Sequence, residues 1–228
     1  MYRSGIPSIL LLLILPVAVF GQANFRTGTI PQLNVNIKIA ESWKLNTKLE
    51  ARQIFFEKEP GSATSRQLRY ERTDLSTVLT RKVSADNTVG AGYLVRREGS
   101  EFTHRLIQQF SNVKNFEVIS LAHRIVTDET FSPAEPVEFR ARYRLGIEMP
   151  LNGRQIDPRE FYSKVNNEYL GLWSDGEADL EIRGLLALGY NATDSNKIEL
   201  GFEYRVNEFD NPAKAQQFWL TIGWFVSI

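Results

Sequence analysis

Val137-Glu138-Phe139-Arg140-Ala141-Arg142-Tyr143-Arg144-Leu145-Gly146-Ile147-Glu148-Met149 is the stretch whose reading decides the fold. Every odd-numbered residue in it is apolar or aromatic, and the even-numbered ones, Gly146 apart, are charged. Side chains of an extended strand point to opposite faces in turn, so this run has one greasy face and one ionic face. Its length also matters, because a tilted strand crosses a bilayer with about 9–11 residues. The pattern predicts a strand of a membrane β-barrel, apolar side to lipid and charged side to the lumen.

Working outward, weaker versions of the same alternation recur along the chain. Leu33, Val35, Ile37 and Ile39 alternate with polar residues, as do Trp43, Leu45, Thr47 and Leu49. Val89, Ala91 and Tyr93 oppose Gly90, Gly92 and Arg96, and Phe161, Val165 and Tyr169 oppose Lys164, Asn166 and Glu168. Further runs follow around Leu180 to Tyr190, Ile198 to Val206 and Phe218 to Ile228. Eleven strands are read in all, joined by hairpin-length links, with no amphipathic helix of useful length between them. Links near 40–42, 82–87, 111–115 and 191–196 read as short turns; 57–67, 128–136, 171–178 and 208–215 read as longer loops. Single-chain bacterial barrels have even strand numbers. The expectation is therefore an all-β, antiparallel up-and-down transmembrane barrel of about twelve strands, with ten as the fallback. Both termini are expected at the periplasmic end, and residues 23–30 are the candidate for the additional strand.

Charge and composition narrow the function classes. The 228 residues carry 27 basic and 27 acidic side chains, so the bulk composition shows no nucleic-acid footprint. Cysteine is absent, which excludes a disulfide framework, a thiolate metal site and a lipid-modified N-terminal cysteine. Arg3, the apolar run from Ile9 to Phe20 and the small Gly21 form a secretory signal layout. The division expected is a cleaved signal peptide at 1–21 and an outer-membrane barrel at 22–228, placed in the bacterial outer membrane. Three features favour lipid over a dry protein core behind the apolar face. The ionic face is dense, aromatics such as Tyr143, Tyr169, Tyr190, Tyr204 and Trp224 share the apolar face, and the C-terminus alternates to its last residue. Gly223, Trp224, Val226 and Ile228 are similar to the C-terminal signal read by barrel-assembly machinery, although an aromatic last residue is more typical. Outer-membrane lipid and that machinery are the expected partners, nucleic acid is not, and the oligomeric state stays open.

The residues expected in the lumen are Glu138, Arg140, Arg142, Arg144, Glu148, Glu168, Glu181, Arg183, Glu199, Glu203 and Arg205. A row of arginines on one strand suits an anion-attracting constriction. These acids and bases nearly cancel, however, and a balanced network selects neither sign of ion, so a plugged, salt-bridged lumen is the expectation. His104 and His123 form a second candidate, a cross-strand pair across a turn centred near 113–114. Lipid hydrolysis would need a serine beside one of these rings and a third group to orient it, and neither is evident. No catalytic residue, metal site or cofactor is assigned, since two histidines fall short of the three protein ligands of a zinc site.

His104-Arg105-x-x-x-Gln109, His123-Arg124, Arg140-x-Arg142-x-Arg144, Pro150-Leu151 and Tyr162 with Asn167-Glu168 occur in one order behind a signal peptide and an early strand pair. That order resembles the family called domain of unknown function 2490. The resemblance covers nearly the whole mature chain and implies a barrel in the outer membrane of Gram-negative bacteria. It carries no activity. The role expected is envelope structure or interaction, or limited, porin-like solute passage. The alternatives are a lipid-modifying outer-membrane enzyme and a soluble secreted binding protein.

Overall fold

A computed structural model describes residues 24–58, 62–133, 135–209 and 215–228. The expected signal peptide and its cleavage point lie outside the described residues. Among the described residues the chain forms eleven strands and no helix: β1 (Asn24–Lys38), β2 (Trp43–Lys58), β3 (Ser65–Lys82), β4 (Asn87–Glu98), β5 (Glu101–Asn115), β6 (Ser120–Phe131), β7 (Glu138–Pro150), β8 (Glu160–Ser174), β9 (Glu177–Thr193), β10 (Asn196–Asn207) and β11 (Ala215–Ser227). Each strand pairs with its sequence neighbours, and β1 pairs with β11 to close the barrel.

Eleven lies between the two even counts expected from the sequence. Residues 24–30 are not a separate strand but the first half of β1, which runs unbroken into the segment from Leu33. Each hairpin reverses the chain, so an odd number of strands leaves the first and last pointing the same way. The seam between β1 and β11 is accordingly parallel, from Asn24 opposite Ala215 to Asn36 opposite Ser227, while every other pair is antiparallel. Parallel closure removes the need for even parity. It also places the start of β1 and the end of β11 at opposite ends of the barrel, which corrects the expectation that both termini share one side.

Strands are longer than alternation alone suggested, and the contrast between turns and loops shrinks. Links 39–42, 83–86, 116–119, 151–159 and 194–195 lie at the end where β11 finishes; links 59–64, 99–100, 132–137, 175–176 and 208–214 lie at the other. The stretch 171–178, read as a loop, zips up to a two-residue turn with Ser174 opposite Glu177. Asp175 and Gly176 have φ of 49° and 81°. Positive φ at both central residues is the type I′ geometry that matches strand twist, and Asp-Gly favours it.

The distribution of side chains is inside-out relative to a water-soluble domain. Phe139, Tyr143, Ile147 and Met149 on β7 are exposed, whereas Arg140, Arg142 and Arg144 turn into the barrel. Leu186, Leu200 and Phe202 are 58%, 53% and 52% exposed. Exposed aromatics gather towards strand ends: Trp43, Phe116, Phe161 and Trp224 at the end where β11 finishes, and Phe56, Phe102, Phe139 and Trp173 at the other. The interior holds two small apolar clusters, Ile30 with Ile54 and Trp219, and Val78 with Leu94, Ile107 and Val126. Among the described residues, most of the other side chains that line its cavity are polar or ionic, Leu185 and Phe225 being the exceptions.

Candidate functional site: the ionic lumen

Inward-facing positions recur every second residue, so the β7 register sets the site. Arg144 lies opposite Arg124 on β6 and Glu168 on β8, Arg142 opposite Val126, and Arg140 opposite Asp128. Asp128, whose side chain is 0% exposed, holds three arginines. Its Oδ1 accepts from Arg140 Nε at 2.7 Å, its Oδ2 accepts from Arg142 Nη2 at 2.8 Å, and Arg105 Nε stands 3.2 Å from Oδ1. Arg105 Nε also donates to the Thr130 hydroxyl at 2.8 Å. Glu168 accepts from Arg144 at 2.7 Å and from Arg183 at 3.0 Å, and Arg183 forks onto Glu181 at 2.7 and 3.0 Å. Taking ions out of water is costly, and such pairs hold only when geometry and extra hydrogen bonds are good, as the forked Arg183–Glu181 pair illustrates.

The remaining residues of the expected lumen set sit in smaller groups. Glu203 pairs with Arg205, and Arg205 and Arg52 lie over the Trp219 ring at 5.9 and 5.5 Å from its centroid. Glu199 accepts from Tyr162 Oη at 2.8 Å and from Lys164 Nζ at 2.8 and 3.0 Å. Glu138 stands 3.5 Å from Arg140, and Glu148 stands 3.7 Å from Lys197.

These groups surround a cavity of about 490 Å³ that reaches from Asn36 and Lys44 to Arg72 and Arg140. Its lining corrects the expectation of near-cancelling charge. Thirteen lysines and arginines line it against five carboxylates. Adding the three other carboxylates that pair with lining cations, Asp128, Glu138 and Glu181, still leaves five positive charges in excess. The expected balance fails because its residue set leaves out Lys44, Lys48, Arg52, Arg72, Arg96, Arg105, Arg124 and Lys164. It also misses Asp128, since 128–136 reads as a loop. Extending the alternation Arg124, Val126, Asp128, Thr130 by two residues would have found that carboxylate on the lumen face.

The histidines do not form a pair. The strand β5 continues to Asn115 and the turn is 116–119, so His104 lies opposite Phe131 and His123 opposite Asn112. The assumed turn centre was several residues too early, and any such shift moves every cross-strand partner. Both rings lie on the outward face, each against a tyrosine. His104 Nδ1 is 2.6 Å from Tyr93 Oη, and His123 Nδ1 is 2.8 Å from Tyr143 Oη. Ser120, the serine nearest in sequence to His123, donates instead to Asn115 at 2.8 Å.

On β11, Trp224 is exposed and donates to Asn196 at 3.2 Å, while Gly223 is buried beneath the Phe225 ring. Val226 lies between Val35 and Asn196, and Ile228 continues the seam through its backbone N–H to Asn36 at 2.8 Å.

Comparison with curated proteins and with solved structures finds no match. A family model described as "Protein of unknown function (DUF2490)" matches residues 28–218, which takes in the lumen arginines, both histidines and β1 from Gly28 onward. The chain therefore belongs to the DUF2490 family of proteins of unknown function.

Proposed function

We propose that this protein is an outer-membrane β-barrel that meets lipid with its apolar outer wall and serves envelope structure or interaction, or limited solute passage through a narrow charged lumen. One observation carries the reading: large apolar side chains face outward around the barrel while arginines and carboxylates face inward. Each exposed leucine or phenylalanine left in water forgoes about 1.5–3 kcal/mol of burial, and soluble monomers rarely carry apolar patches beyond a few hundred Å². A hydrocarbon surround reverses that balance. The aromatics towards both ends suit the interfacial girdles of such barrels, and β11 ends on the pattern that assembly machinery would read. The lumen is filled in part by the Trp219 cluster and the ion pairs, which favours slow or selective passage over a wide pore.

The test is a charge on the outer wall. Leu200 sits in the inner part of β10 beside Leu188 and Ile222. With lipid outside, Leu200→Arg is expected to destabilise the refolded barrel in phospholipid vesicles by about 2–4 kcal/mol, read from urea unfolding. With water outside, the same change should stay within about 0.5 kcal/mol. Recovery of the native protein in the soluble fraction, together with a neutral Leu200→Arg, would dispose of the reading.

A further inference from the structure

The excess positive charge of the lumen is not spread evenly: of two lining arginines without an ion pair among the described residues, Arg72 has Glu98 opposite it, whereas Arg124 has no acid opposite. Arg124 lies on β6 with Arg144 directly opposite and Arg142, two residues on, beside Val126. Its Nε is buried without a hydrogen-bond partner, and it forms no ion pair among the described residues. The Nε of Arg142 is likewise buried and unpartnered, although its Nη2 is held by Asp128. The other strand neighbour of Arg124 is Ser111, which carries no charge. The carboxylate on the next strand, Glu168, is engaged by Arg144 and Arg183. All three arginines line the 490 Å³ cavity.

Three neighbouring arginines that line one cavity, one of them without an ion pair of its own among the described residues, are costly unless something anionic completes them. Arginine presents a planar fork of donors that matches carboxylate and phosphate, and multivalent oxyanions gain most from several forks at once. We propose that the lumen binds a small phosphate-class oxyanion against the β6–β7 wall, held by Arg124, Arg142 and Arg144. This names the class of solute for the lumen and rests on the lumen being open to solute, as the reading above has it. Bound there, the anion would neutralise part of the excess of five positive charges and brace the wall. In passage, the same site would select negative over positive solutes.

The experiment uses the full mature barrel refolded in detergent, with inorganic pyrophosphate as the probe and sodium chloride at equal ionic strength as the screening control. Pyrophosphate is expected to bind saturably and to raise the temperature of the heat-modifiable gel shift. Arg124→Gln should weaken that binding roughly tenfold or more, the loss expected for one charge-assisted hydrogen-bonding group. Without anion, Arg124→Gln should be no less stable than the parent, because it removes a buried charge that lies beside Arg144 and Arg142 and whose one nearby carboxylate, Glu168, is already engaged by Arg144 and Arg183. Arg154→Gln, an exposed control paired with Glu117 at 2.8 Å, should bind as the parent does. If Arg124→Gln does not refold, labelling of the parent with phenylglyoxal supplies the answer. Pyrophosphate should then protect the peptide carrying Arg124 and leave Arg154 reactive.

A folded, heat-modifiable barrel that ignores pyrophosphate would overturn the proposal while leaving the membrane reading untouched, and a neutral Leu200→Arg would do the reverse. Equal binding by Arg124→Gln, or no protection of its peptide, would overturn it too. A parallel arm with micelles containing phosphatidylglycerol separates a lipid headgroup from a free anion. Protection by that lipid and not by pyrophosphate would also count against the proposal.

Discussion

Exchanging Asp128 for asparagine is expected to cost the barrel about 3–5 kcal/mol, the penalty of leaving buried charge without its counter-ion. The amide keeps the shape of the carboxylate but gives Arg105, Arg140 and Arg142 no negative charge to share. Among the described residues, only Arg140 of the three retains another ion-pair partner, Glu138 at 3.5 Å. Folded domains have about 5–15 kcal/mol to lose, so such a change should sharply lower the yield of heat-modifiable protein and the urea midpoint in vesicles. Combining it with Arg105→Gln should recover part of the loss, since one of the three stranded cations is then gone. An unfolding free energy within about 0.5 kcal/mol of the parent would mean that lumen water solvates these arginines and that the cluster is not a structural keystone.

The second large effect is expected at Gly189. An added Cβ there would overlap Cζ and both Cε atoms of the Tyr162 ring. Tyr162 is 0% exposed and donates its hydroxyl to Glu199, so the ring has nowhere to go without giving up that bond. Overpacking costs about 1–3 kcal/mol, and a hydrogen bond to a charged group is worth about 1.5–3 kcal/mol. Gly189→Ala should therefore destabilise by about 3–5 kcal/mol in the same vesicle unfolding measurement. The effect should largely vanish in a Tyr162→Ala background, because contacting residues couple and the clash needs both partners. An equal loss in both backgrounds would place the cause in the strand's backbone and not in the ring.

Both predictions concern residues whose type was visible in the sequence but whose partners were not. That a strand glycine such as Gly189 relieves crowding in a barrel wall is a generality that holds for any of them. Which ring it accommodates depends on the β8–β9 register, which sets Tyr162 opposite Gly189. Asp128 was assigned to a loop because prolines follow shortly after it, at Pro133 and Pro136. Those prolines fall in the 132–137 link, leaving the strand intact through Phe131.

What the sequence determined by itself was the period and therefore the sidedness. A two-residue alternation fixes which side chains share a face regardless of what lies beyond the strand, so Arg140, Arg142 and Arg144 were bound to lie together opposite Phe139 and Tyr143. Family membership was equally legible, since it rests on the order of short motifs along the chain. Register, closure and charge balance belonged to the tertiary structure alone. The histidine pairing failed on a misplaced turn centre, and the even strand count failed on a parallel seam between residues nearly two hundred positions apart. The net charge of the lumen required knowing every strand's inward face at once. Local alternation constrains each strand separately, whereas the cavity is a sum over all of them, and only the closed sheet carries that sum out.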